Sequence, residues 1–241
     1  MVTGTRNSAF GRSALQENTG DDNIAMGHEA LKVNTTGSKN AAFAPYALDA
    51  NTTGASNIAL GYQALSQNTT GNYNIAIGDQ ALYTQTTGGT DNVAIGRYSQ
   101  YYAATATYNV SVGNNSLTNS SSGDFNVAVG HEAFNDNTTG NKNIGIGQSA
   151  GHQTNTGSAN VSIGYQALYN NTNSSRNICI GEETGRGITG SSDNIALGYR
   201  ALYSKTNSNR SIAIGYEAAH GQTSGGNSVA IGHQAARNVV T

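Results

Sequence analysis

The sequence predicts an all-β fold, a parallel β-solenoid of about fourteen 17-residue coils forming one array over residues 1–241. Three observations carry that expectation. First, a segment reading roughly N-[IV]-A-[IL]-G-x-x-A-L, followed by an Asn/Thr/Ser/Gly turn, recurs along the whole chain. Second, its first position falls at Asn7, Asn23, Asn40, Asn57, Asn74, Asn92, Asn109, Asn126, Asn143, Asn160, Asn177, Asn194, Ser211 and Ser228. Eleven of the thirteen intervals are therefore 17 residues, one is 16 and one is 18. A period held that tightly marks a stacked structural unit. Third, 31 glycines, 11% charged residues and no tryptophan depart from the composition of an ordinary globular enzyme.

Counting from the Asn, positions 2 and 4 hold Ile24 and Met26, Ile58 and Leu60, Ile75 and Ile77, Val93 and Ile95, and so on to Val229 and Ile231. Aliphatic residues spaced by two share one face of an extended segment, and such a short run is too short for a free helix. Each copy thus predicts one short strand with its aliphatic pair in the core, ended by a position 5 glycine that only Ala44 replaces. Positions 8 and 9, as in Ala30-Leu31, Ala47-Leu48 and Ala64-Leu65, add an apolar pair expected on a second strand or a tight helical turn. Burying these side chains is worth on the order of 5 kcal/mol per coil before entropy is subtracted, enough for an array and too little for one copy. The Asn-Thr-Thr-Gly segments at 34–37, 51–54, 68–71 and 137–140 read as turns whose Gly takes positive φ. The uniform Asn at position 1 reads as an amide ladder from coil to coil.

Position 3 lies between the two aliphatics and points the other way. With positions 2 and 4 in the core it faces outward, where side chains ordinarily vary, as they do at positions 6 and 7 (Arg12, Glu29, Tyr62, Glu182). Position 3 nevertheless holds only small residues. An outward stripe of that kind predicts close packing against another molecule, most simply a second copy of the chain. The expected self-assembly interface is therefore Ala25, Ala42, Ala59, Ala76, Ala94, Ser111, Ala128, Gly145, Ser162, Cys179, Ala196, Ala213 and Ala230, continuing the column that starts at Ala9. The competing expectation is a cramped interior corner. No polar cap is evident from Asn7 backwards or towards Val239-Val240-Thr241, which adds an expectation of head-to-tail stacking through open ends.

Twelve Lys plus Arg against fourteen Asp plus Glu give a net charge of −2 without blocks of like charge. Nothing in that balance neutralises a phosphate backbone, so nucleic acid is not an expected partner. No apolar run reaches a membrane span, and Met1-Val2-Thr3-Gly4 leads into the first repeat without a hydrophobic leader. Cys179, the single cysteine, fills a small-residue column and reads as a packed side chain.

Gly147-Gln148-Ser149-Ala150-Gly151, followed by His152, spells a nucleophile elbow, and Gly145 to Ala150 spell a dinucleotide fingerprint. Both dissolve into the repeat, since Gly147 and Ala150 are the ordinary occupants of positions 5 and 8. The five histidines (His28, His131, His152, His220, His233) are scattered, and no calcium-repeat pattern occurs. The expectation is no enzyme, no cofactor and no metal. Three binding features stand apart. Tyr98, Tyr101, Tyr102 and Tyr108 cluster where position 9 becomes Gln100, a candidate contact for a sugar or a protein. Threonine rows in the turns offer a regular polar surface of the kind an ice-binding rod uses, and the Asn34, Asn51 and Asn68 sequons offer glycan acceptors.

Asn57-Ile58-Ala59-Leu60-Gly61, Asn74-Ile75-Ala76-Ile77-Gly78 and Ser228-Val229-Ala230-Ile231-Gly232 resemble the head repeats of trimeric autotransporter adhesins. With the longer Thr-Thr-Gly turn, the pattern is also similar to repeats of phage tail-fibre proteins. The resemblance covers essentially the whole chain through a short motif. It implies a parallel β-roll, three chains about one axis, an extracellular, cell-surface or virion location, and binding to surfaces. The 17-residue period is longer than the adhesin-head repeat, and no coiled-coil stalk or anchor is evident. Fibre is the better-supported expectation, with an adhesin head as its rival.

Overall fold

The computed structural model describes residues 4–204, 209–222 and 226–238, in two compact units divided after Ser122. The first and last three residues, where the absence of a leader and of a cap was expected, lie outside the described residues. The fold is an all-β parallel solenoid with 17-residue spacing, and each coil contributes one three-residue strand. In the first unit these are β1 (Ser8–Phe10), β2 (Ile24–Met26), β3 (Ala41–Phe43), β4 (Ile58–Leu60), β5 (Ile75–Ile77), β6 (Val93–Ile95) and β7 (Val110–Val112). In the second they are β8 (Val127–Val129), β9 (Ile144–Ile146), β10 (Val161–Ile163), β11 (Ile178–Ile180), β12 (Ile195–Leu197), β13 (Ile212–Ile214) and β14 (Val229–Ile231). Within each unit the strands pair in sequence order and in register, Ala25 opposite Ala42 and Ser162 opposite Cys179.

Backbone hydrogen bonds run between coils. The position 2 amide donates to the next coil's Asn carbonyl, as from Ile24 to Asn40 and from Ile144 to Asn160, both at 2.8 Å. A second ladder runs through position 9, where Leu31 N–H donates to Ala47 O at 3.0 Å and Leu168 N–H to Thr184 O at 2.9 Å. The Ala-Leu pair lies on neither a second strand nor a helix. It sits in a turn whose positions 7 and 9 are left-handed, as at Glu29 (φ 59°) and Leu31 (φ 50°). A leucine in that region is strained, and the coil-to-coil bonds on either side hold it there.

The strand faces are opposite to the sequence expectation. Position 3 points inward. Ala25, Ala42, Ala59, Ala76, Ala94, Ser111, Ala128, Gly145, Ser162, Cys179, Ala196, Ala213 and Ala230 are all buried within their own chain, so they form no outward stripe. They pack with the position 8 alanines and the position 9 leucines. The physical reason is room: the coil is narrow, its interior is filled by one leucine, and a strand facing it can add only a methyl-sized group. The aliphatics at positions 2 and 4 are turned out instead, and β4, for example, reads exposed, buried, exposed.

Two asparagine columns hold the turns. At position 1, Asn57 Oδ1 accepts the Asn74 backbone N–H at 2.9 Å and its Nδ2 at 3.2 Å, while Asn57 Nδ2 donates to Gly71 O at 2.8 Å. The expected ladder is therefore present, and it ties each coil to the next and to the turn that leads into it. At position 12 a second ladder runs from Asn68 Nδ2 to Asn51 Oδ1 (2.9 Å) and from Asn51 Nδ2 to Asn34 Oδ1 (2.6 Å). The Thr-Thr-Gly glycines serve a different purpose from the one expected. Gly37 has no left-handed φ, and a Cβ there would lie 2.3 Å from Gly54 O and 2.5 Å from Asn34 Oδ1. Close approach of the next coil, rather than backbone freedom, excludes a side chain. The position 5 glycines do need their freedom (Gly61, φ 146°), and Ala44 adopts φ 133° in their place.

Candidate interaction surfaces

The outward faces of the strands carry an apolar side chain at position 2 or 4 of every coil. In the first unit Ile24, Met26, Ile58, Leu60, Ile95 and Val110 are exposed, and in the second Ile144, Ile146, Ile178, Ile180, Val229 and Ile231. No charged residue occupies position 2 or 4 in any coil. Leu60 is 46% exposed and Ile146 41%, whereas both outward residues of β5, β10 and β12 are half-buried, so the apolar face is exposed most in alternate stretches of each unit. Monomers ordinarily keep contiguous apolar patches to a few hundred Å². The signal in the sequence is the lack of any charged residue in the two columns, which is equally compatible with a core.

Three of the four candidate tyrosines come together. Tyr98, Tyr101 and Tyr102 line an open groove of about 280 Å³ with Gln80, Asn115 and Thr118. Tyr101 stacks on Tyr83 (5.0 Å between centroids, 10° between planes) and stands perpendicular to Tyr98 (83°) and Tyr102 (84°). Arg97 lies over the Tyr98 ring at 5.0 Å. Burial, with the neighbouring phenols, pushes the Tyr101 hydroxyl above its usual range. Tyr108 is not part of this groove; it is an exposed left-handed residue at the corner before β7. Tyr83 and Gln80 join the site without having been singled out, although each shares a repeat position with a groove residue one coil on.

The second unit arranges its aromatic residues as stacks. At position 10, His152 stacks on Tyr169 (5.0 Å) and Tyr203 on His220 (4.9 Å), with Arg186 over both Tyr169 and Tyr203 at 5.4 and 5.8 Å. At position 6, Tyr199, Tyr216 and His233 stack in turn. Glu183 accepts from Arg200 at 2.5 Å, and Arg237 meets Glu217 at 2.9 Å. Burial pulls the His220 imidazole below its ordinary value. A shallow groove beside Asp124, Phe125, Lys142, Ala159 and Arg176 is lined by corner residues of successive coils, and Arg176 is already paired with Asp193.

The motif with a catalytic spelling does not assemble as one. The Ser149 hydroxyl, almost fully buried, meets Glu132 Oε2 at 3.4 Å, and His152 Nε2 approaches the same oxygen at 3.8 Å. The serine proton thus faces a carboxylate. Gly151 is there for packing, as a Cβ would lie 2.1 Å from Phe134 Cε1. Among the described residues no group of three or more His, Cys, Asp or Glu side chains is placed to hold a metal ion, and no helix is long and apolar enough to cross a membrane. Cys179 is buried and its thiol is pushed up to about 12 by desolvation, which leaves it inert as a nucleophile. The sequon residues Asn34, Asn51 and Asn68 are fully buried with their amides engaged, so the folded chain cannot present them for glycosylation. The Thr35 and Thr52 hydroxyls donate to the Thr52 and Thr69 carbonyls at 2.8 and 2.9 Å, so their protons serve the coil stack.

Compared with protein-family models and with curated protein sequences, the chain matches none.

Proposed function

We propose that this is a non-enzymatic structural protein whose copies associate side by side through the outward aliphatic faces of their strands, building an extracellular filament or tail-type fibre. The observation that carries the proposal is the pair of uncharged aliphatic columns repeated coil by coil in each unit. A surface that is apolar over successive coils costs free energy in water and is recovered by covering it. The cover must itself be flat, apolar and periodic at the spacing of parallel strands, about 4.8 Å. The same face of another copy meets all three requirements, and closed symmetry about a common axis satisfies every copy equally. The extracellular or virion setting rests on the resemblance of the repeats to adhesin heads and tail fibres.

Mass measurement by sedimentation, together with electron microscopy of the purified chain, tests the proposal. Wild type is expected as an oligomer or fibre. Ile58→Glu with Leu60→Glu, or Ile144→Glu with Ile146→Glu, is expected to yield monomers that keep the β-sheet circular dichroism of the parent. A monomeric wild type, or glutamate variants that assemble as before, would refute it.

A further inference from the structure

The coil that starts at Asn92 breaks the repeat in three ways at once. It follows the one 18-residue interval, in which Gly88 adopts φ 75° with open space around it. Its core positions 8 and 9, usually Ala and Leu, are the fully buried Ser99 and Gln100. Gln100 Nε2 donates to Ser111 Oγ at 3.1 Å and to Val93 O at 3.3 Å, while its Oε1 has no partner. Ser99 and Ser111 bond to each other through their hydroxyls. A buried carbonyl left unpaired is a cost that an alanine-leucine core avoids. The third break is on the surface, where Tyr98, Tyr101 and Tyr102 come from this single coil. Local rules broken together in one place, at a cost in stability, mark a site kept for something other than folding.

We propose that the tyrosine groove binds the pyranose rings of an uncharged glycan. A pyranose offers an apolar C–H face and a rim of hydroxyls, and it needs an aromatic face bordered by neutral donors and acceptors. Tyr102 is 52% exposed and stands perpendicular to Tyr101, so its ring is not consumed by a face-to-face stack. The rest of the lining is amide and hydroxyl (Gln80, Asn115, Thr118) with no carboxylate or ammonium. Gln80 Nε2 donates to Gln63 Oε1 at 2.7 Å, which fixes the amide plane before any ligand arrives. The groove, at about 280 Å³, lies just below the roughly 300–1,000 Å³ of drug-sized pockets and suits a mono- or disaccharide. A charged sugar finds no counter-charge in the lining, and the neighbouring Arg97 guanidinium already lies over Tyr98. A polyproline peptide seeks a row of parallel aromatic ridges, whereas the central ring here, Tyr101, stands perpendicular to both Tyr98 and Tyr102.

Saturation-transfer NMR on the full chain tests this with maltose, cellobiose and chitobiose as neutral probes, and with glucuronate and a proline decapeptide as the others. At least one neutral disaccharide is expected to titrate with millimolar affinity. Tyr102→Ala should weaken it at least about tenfold, while Tyr216→Ala, in a stacked row of the second unit, leaves it unchanged. The proposal falls if no neutral probe titrates at tens of millimolar, if Tyr102→Ala binds as well as wild type, or if only glucuronate or the peptide binds. Circular dichroism of the Tyr102 variant separates lost contact from lost fold. The oligomer mass is read independently, so failure here leaves the assembly proposal standing, and the reverse also holds.

Discussion

In the first unit most coils fill their interior in one way, with a position 9 leucine such as Leu48, Leu65 or Leu82 against small residues at positions 3 and 8. In the second unit only Leu168 and Leu202 keep that leucine, and elsewhere other side chains fill the same space. Phe134 replaces leucine at position 9, and the next coil answers with glycine at both Gly145 and Gly151, where a Cβ would lie 2.7 and 2.1 Å from the ring. In the coil beginning at Asn177, glycine stands at position 9, and Ile188 and Cys179 occupy the space around Gly185. Ile188 stands where the first unit has its Asn18, Asn34, Asn51 and Asn68 ladder, so volume is recovered at the expense of a polar column. What the coil conserves is total interior volume, and the residue that supplies it can move between positions or to the adjacent coil.

The sharpest way to break that comparison is to force the first unit's core into the second. Gly151→Leu places a side chain where Phe134 already lies and should cost about 3 kcal/mol, at the upper end for overpacking. Adding Phe134→Leu and Gly145→Ala should restore most of it, because the three changes together recreate the first unit's interior. Urea midpoints of the single and triple variants report this, and a triple variant no better than the single one would show that the glycines answer to something other than the ring.

A smaller effect distinguishes the polar columns. Asn57→Ala removes the acceptor of the Asn74 backbone N–H and leaves the Gly71 carbonyl with the longer Asn68 amide bond alone, and should cost about 2 kcal/mol. Asn57→Ser should cost less, since the second unit itself carries Ser211 and Ser228 at this position, with their hydroxyls bonded at 3.0 Å. Equal losses for the two variants would remove the hydrogen-bond explanation. The smallest expected change has the opposite sign. Ala44→Gly relieves the one non-glycine residue at position 5 and should stabilise the first unit by about 1 kcal/mol, read as a rise in melting temperature.

Much of this was legible because stacking imposes the same environment on every copy. A column occupied by asparagine in twelve of fourteen coils has to be doing one repeated thing, and the ladder from Asn40 through Asn57 to Asn74 is that thing. A further ladder, at position 16, is not legible in the sequence because different residues perform it. Ser158, Ser175 and Ser192 each take a backbone N–H of the preceding coil at 3.0 Å, and Asn209 does so at 2.7 Å, so only the shared oxygen betrays the column. Tyr108 was grouped with the other tyrosines by proximity in sequence, yet seven residues from Tyr101 carry the chain round a corner of the coil.

The sequence by itself determined the period, the place of every strand and the ladder of its position 1 asparagines, because all three follow from repetition and from alternation along a strand. It could not determine which side of the strand is the inside. Alternation separates Ala59 from Ile58 and Leu60 but treats the two faces alike, and both are apolar. That choice was left to the width of the closed coil, in which one leucine leaves room for a methyl group and turns the larger side chains outward.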